Sequence, residues 1–207
     1  VLLHYVPEEL KNTILGLLTG AGLVIAMIVQ PVSGAISDRW ASRWGRRRPM
    51  IIFGLLLDFV FLGILAFAGG VPALALGYLG LQFSSNLAHG PMQGLLPDRV
   101  PADELGRGSG LKNVFDIGGM IAALLLMGRL FSPEATRLTG PLGIVIAVLA
   151  VSTGITLLFS REASSEHLPK GQDAGAALKE MVRIDWRRNA SFAWLVAVRL
   201  VFFLGVY

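Results

Sequence analysis

The stretch Gly34-Ala35-Ile36-Ser37-Asp38-Arg39-Trp40-Ala41-Ser42-Arg43-Trp44-Gly45-Arg46-Arg47-Arg48-Pro49 joins two long apolar runs. Gly34 lies four residues before Asp38, so on a helix the two share a face. The glycine lets a neighbouring helix approach, and the carboxylate can meet an arginine or another helix's N-terminus. Together they make a conformational latch. Gly45 permits a tight turn, and Arg39, Arg43, Arg46, Arg47 and Arg48 hold the connection at a cytoplasmic membrane surface. Taken alone, the arginines require no more than a positive-inside anchor.

Working outward, residues 12–37, 59–97 and 138–160 carry no Asp, Glu, Lys or Arg. A bilayer span needs about 20 such residues. The whole chain of 207 residues is 54% hydrophobic and 15% charged, with mean hydropathy +0.64. A soluble domain carries about 25% charge. The balance excludes a disordered chain, and the lack of cysteine excludes a disulfide scaffold or a cysteine-ligated metal centre.

The first span is predicted from about Glu9 to Ser37, entered through Pro7-Glu8-Glu9. Pro49 opens a second span to about Ala68, and Gly69-Gly70-Val71-Pro72 is a turn. A third span covers Ala73 to Leu96 and is followed by a proline-bracketed loop, Pro97 to Glu104. The fourth covers Ser109 to Phe131 and ends at Ser132-Pro133-Glu134. The fifth covers Pro141 to Phe159, and an incomplete sixth starts near Ser191. The predicted fold is all-α: a polytopic membrane helical bundle with five complete transmembrane helices and a partial sixth. The apolar run at Phe202 to Tyr207 stops short of a full span, which reads as a chain cut within a helix.

Of the 18 basic residues, most fall after spans one, three and five. The positive-inside rule therefore puts loops 38–49, 97–108 and 161–190 in the cytoplasm. The expected setting is a multi-pass protein of a bacterial inner membrane, with the lipid bilayer as its surroundings. The net charge of +4 follows from this topology, and no nucleic-acid partner is expected. Asp173 to Arg188 reads either as an amphipathic helix on an anionic leaflet or as a solvated linker.

The quoted stretch resembles the loop between helices two and three of the major facilitator superfamily, G-x-x-x-D-R-x-G-R-R. Asp38 and Gly45 are seven apart rather than three, and D-R-x-x-x-R-x-G-R-R-R-P is similar to the form in sucrose/proton symporters and other glycoside-cation symporter relatives. The resemblance implies a fragment of a twelve-helix transporter. Residues 1–160 would be helices two to six of its N-terminal half, 161–190 its central cytoplasmic loop, and 191–207 the start of helix seven. Helix one and most of the C-terminal half would lie outside the chain. Drug/proton antiporters of the superfamily carry an arginine in helix four and a Gly-Pro element in helix five. Neither occurs here, which favours symport.

Within the third span Gln82, Asn86, His89 and Gln93 follow one helical face. Such groups avoid lipid and face either a watery cavity or a partner helix. The resemblance favours the cavity, where they would suit a polyhydroxylated substrate. Arg199, inside the sixth span, is a further cavity candidate. Asp58 lies within the second span and needs a partner or a proton. Asp116 is spaced to pair with Lys112 on one face. Asp58 and Asp116 are the proton-coupling candidates.

These features point to a secondary transporter of a small polar solute, a sugar or glycoside moved with a proton by alternating access. A proton-coupled efflux transporter of the same superfamily and a non-transporting receptor or anchor are the alternatives. No H-E-x-x-H, G-x-S-x-G or histidine cluster supports an enzyme, and nothing calls for a metal or cofactor.

Overall fold

The computed structural model describes residues 6–130, 139–159, 164–165 and, near the C-terminal end, Ser191, Trp194, Ala197, Val198 and Val201. Five helices are continuous among the described residues: α1 (Glu8–Asp38), α2 (Arg48–Ala66), α3 (Val71–Arg99), α4 (Leu105–Leu130) and α5 (Thr139–Phe159). They belong to one unit, Val1–Lys170, and Gly171–Tyr207 forms a second in which the described residues are helical. No strand occurs among the described residues. Arg199, the Ser132-Pro133-Glu134 turn and the Asp173–Arg188 segment lie outside them.

The helix starts follow from local chemistry. Pro7 precedes α1 with Glu8 and Glu9 in its first turn, and Pro49 and Pro72 occupy the opening positions of α2 and α3. A proline there gives up an N–H that would have no intrahelical partner, and acids suit the positive end of the helix dipole. Two boundaries differ from the sequence reading. Pro97 does not end the third helix, which continues to Arg99 because the Val100 N–H still reaches Leu96 O at 3.0 Å. α4 begins four residues early, at Leu105, where the Gly108 N–H bonds Glu104 O at 2.9 Å. The loop predicted over Pro97 to Glu104 is therefore shorter, and Asp98 belongs to a helix.

Helices α1, α2 and α4 are long and apolar enough to cross a membrane. α5 has a shorter apolar core, Leu142–Thr156, and α3 is more polar because of the stripe noted above. α3 is nevertheless the centre of the packing: it runs between α1 and α2, whereas α4 and α5 touch this trio only lightly. Most large side chains of α4, among them Val114, Phe115, Met120 and Leu124, are exposed.

Small residues let the trio close. A Cβ added at Gly54 of α2 would lie 2.8 Å from both Ala88 N and Ser84 O of α3. One added at Gly90 of α3 would collide with Gln30 O and Ser33 Oγ of α1. Two backbone-to-backbone crossings result, the small-residue contacts by which helices associate when lipid supplies no hydrophobic drive. Ser33 fastens the second crossing: its Oγ lies 2.9 Å from Gln30 O and 3.2 Å from Asn86 O, and its single proton is shared between the two carbonyls. Gly34 faces Gly90 O at 3.7 Å from a hypothetical Cβ, an ordinary contact. The close approach expected at Gly34 is present, but Gly90 is the residue that requires it.

Candidate functional site

The connection from α1 to α2 turns at Gly45, the one described residue in the left-handed region (φ 94°), where the Gly45 N–H bonds Ser42 O at 3.1 Å. A side chain would be strained in that left-handed conformation. The turn delivers the arginines to the N-terminus of α2, which has no acid in its first turn. Positive charge at a helix N-terminus is unfavourable unless carboxylates compensate. Neighbouring helices provide them.

Arg47 is the centre of the arrangement. Its Nη2 lies 2.8 Å from Asp38 Oδ1 at the end of α1, and its Nε lies 2.6 Å from Asp98 Oδ2 near the end of α3. Nη1 reaches Pro91 O at 3.4 Å. The guanidinium rests on Gly94, where any Cβ would overlap it. Its side chain is 7% exposed. Arg46 adds a second bond, Nη2 to Asp98 Oδ1 at 2.6 Å. One arginine thus ties the ends of three helices.

Burial on its own would raise the Asp98 carboxyl, but the hydrogen bonds and charges of Arg47 and Arg46 outweigh it and hold Asp98 below the ordinary carboxylate value. A depressed folded-state value means that the stabilisation is complete above the unfolded-state pKa and is lost as pH falls through the folded-state one. The clamp should therefore stay intact at neutral pH and weaken only in acid below about pH 4. Asp98→Asn should remove that acid-labile component, and melting temperatures of the variant and its parent compared at about pH 3 and pH 7 check it.

Of the latch residues read from the sequence, Asp38, Arg46 and Arg47 are brought together. Gly34 lies at the helix crossing nearby, and Gly45 makes the turn. Arg43 stands apart, its guanidinium 5.5 Å from the centre of the Trp44 ring. Arg39 forms the cap after α1, and Arg48 is the first residue of α2. Asp98, Gly90 and Gly94 were not identified from the sequence.

The polar face of α3 divides in two. Gln82 donates to Tyr78 Oη at 3.0 Å, and both side chains lie against Gly22 of α1. Asn86 donates to Gln82 O at 2.7 Å, and its own carbonyl receives Ser33. These two residues support the α1–α3 contact. His89 and Gln93 pair at 2.7 Å and are exposed.

Asp58 is 4% exposed in the α2–α3 interface and accepts hydrogen bonds from Ser84 Oγ and, at 2.9 Å, Ser85 Oγ. Among the described residues no lysine or arginine pairs with it. Asp116 and Lys112 of α4 do pair, at 2.5 Å. No group of three metal-ligating side chains occurs among the described residues. A groove of about 390 Å³ between α4 and α5, lined by residues such as Ala122, Leu126 and Val148, is apolar and offers little to a polar solute.

Long apolar helices tied at their basic end by a buried arginine define a multi-pass α-helical membrane protein. The chain belongs to the Major Facilitator Superfamily, whose profile matches residues 1–207; this is a family of membrane transporters, not enzymes. The chain is 30% identical over 99 residues to sucrose transport protein SUT1 of Oryza sativa subsp. japonica, covering 37% of this chain and 18% of the relative. It is 25% identical over 181 residues to sucrose transport protein SUT3 of Oryza sativa subsp. indica, covering 68% of this chain and 35% of the relative. It is 28% identical over 194 residues to the glycine betaine/proline/ectoine/pipecolic acid transporter OusA of Dickeya dadantii (strain 3937), covering 89% of this chain and 37% of the relative. The chain thus spans well under half the length of these relatives. No solved structure matches it.

Proposed function

We propose that this chain supplies helices two to seven of a secondary transporter that moves a small polar solute together with a proton by alternating access. In this reading α1–α5 cross the membrane, with the arginine end in the cytoplasm. The observation that carries it is the Arg47 clamp. It joins three helix ends through charges that must separate if the cytoplasmic side is to open, and two such states are what alternating access needs. His89 and Gln93 would meet the solute, with Arg199 a further candidate beyond the described residues. Gln82 and Asn86 would act mainly by holding α3 against α1.

A sugar or glycoside is the favoured solute, supported by the two sucrose transport proteins. A zwitterionic osmolyte is a second reading, favoured by the long match to OusA. Proteoliposomes of the protein that carries this chain, given an inward proton gradient, would take up labelled sucrose or maltose under the first reading and glycine betaine or proline under the second. Uptake of neither class, with the protein correctly folded, would contradict the proposal.

Asp58 is the preferred coupling residue. A buried carboxylate without a cation needs a proton or must tolerate a large desolvation cost, and two hydroxyls at hand can serve either form. Asp116 is less suited because Lys112 already neutralises it. Asp58→Asn is expected to abolish gradient-driven accumulation while leaving solute exchange within a few-fold of wild type. Asp116→Asn should leave coupling intact. Accumulation that persists in Asp58→Asn would remove that residue from the mechanism.

A further inference from the structure

Ser165, in the chain beyond α5, is inserted into the α1–α2 connection. It is 4% exposed. Its Oγ lies 3.0 Å from Trp40 O and 3.1 Å from Ser42 O, and it accepts the Ser42 N–H at 3.0 Å. The Ser165 N–H also donates to Ser42 O at 3.0 Å. One hydroxyl carries a single proton, so it donates to one of the two carbonyls at a time and accepts from the Ser42 amide. A residue 123 positions away from Ser42 therefore satisfies backbone groups that the loop does not satisfy itself.

That loop is the part of the chain that presents Arg47. From Trp40 it runs through the Gly45 turn to the start of α2, and its shape decides whether the guanidinium reaches Asp38 and Asp98. We infer that Ser165 is a clasp through which the polypeptide following α5 sets the arginine clamp: docked, it holds the loop in the clamped shape, and undocked, it frees the clamp to open. Ser165 is a positioning residue, since it touches neither the carboxylates nor Arg47. The clasp couples the basic connection after α5 to the latch between α1 and α2, so a partner or modification acting on that connection would reach the transport cycle without touching the solute site. This inference rests on the transport reading for its purpose, but not for its contacts.

Two measurements on the full protein in membranes test it. Ser37 is fully buried at the clamp end of α1, so Ser37→Cys, in a background cleared of any other cysteine, reports opening through its maleimide labelling rate. Adding Ser165→Ala removes the hydroxyl bonds and should raise that rate about tenfold, the effect of one or two lost hydrogen bonds. Ser152→Ala, which removes a hydroxyl bonded to Leu149 O within α5, is the control and should leave it unchanged. Equal labelling in Ser165→Ala and its parent would overturn the clasp. Separately, Ser42→Cys with Ser165→Cys should cross-link on oxidation, because the two residues share a backbone hydrogen bond. Cross-linking should stop solute uptake, with recovery on reduction. A cross-linked protein that transports normally, or a pair that fails to cross-link, also overturns the proposal. Because labelling needs no solute, a protein that takes up no tested compound would refute the transport reading while leaving the clasp to be judged on labelling alone.

Discussion

Replacing Arg47 with alanine is expected to cost the folded protein about 1–3 kcal/mol, the range for losing hydrogen bonds to charged groups, because the guanidinium is buried while Asp38 is half exposed and keeps its hydration. The deletion takes from Asp38 its bond to Arg47 and leaves Asp98 with Arg46 in place of two guanidinium groups, and it empties the space above Gly94. Arg47→Lys should recover only part of the loss. A lysine ammonium is a point charge and cannot span two carboxylates on different helices as the forked guanidinium does. Arg43→Ala, which removes an exposed guanidinium stacked on Trp44, should change stability by less than about 0.5 kcal/mol. Thermal melting of the detergent-solubilised protein separates the three. If transport depends on the clamp, Arg47→Ala should also lose most of its uptake, because the state closed at the arginine end would no longer be populated.

The second large effect is steric and separates two glycines that the sequence does not distinguish. Gly90→Ala should destabilise by about 1–3 kcal/mol, the usual cost of overpacking, because its methyl would meet the Gln30 carbonyl and the fastened Ser33 hydroxyl. Backbone atoms cannot swing aside as a side-chain tip can. Gly34→Ala, on the opposite side of the same crossing, meets only Gly90 O at 3.7 Å. It should be neutral or slightly stabilising, since alanine favours a helix by about 1 kcal/mol over glycine. Gly54→Ala should resemble Gly90→Ala. Circular-dichroism melts of the three variants suffice, and equal losses at Gly34 and Gly90 would contradict the described crossing.

Much of the architecture was legible because the bilayer constrains it strongly. Long uncharged runs, prolines at helix starts and a basic loop are one-dimensional signals, and the helices lie within a few residues of their expected places. The arginine motif was visible in the sequence, but its ion pairing was not. Five arginines in the α1–α2 connection are equivalent in sequence, and burial under α3 singles out Arg47. Asp98 stood between two prolines and read as loop, although its position at the end of an uncharged run, on the same side as the arginines, was a usable clue. Asp58 advertised a need for a partner, since a carboxylate in an apolar run must have one. Which partner depended on the rotation of α3, and adjacent serines are too common to mark it. The same rotation split the Gln82–Gln93 stripe: periodicity shows that residues share a face, not how much of that face a neighbour covers.

The most direct test of the arginine clamp is a double-mutant cycle between Arg47→Ala and Asp98→Ala, read through the Ser37→Cys labelling rate at neutral pH. Each single change should expose Ser37 by about a hundredfold, and the double change should expose it little more than either alone, giving a coupling of about 2 kcal/mol or more. Single changes that multiply independently in the double variant would show that Arg47 and Asp98 do not act together, and the clamp would have to be abandoned.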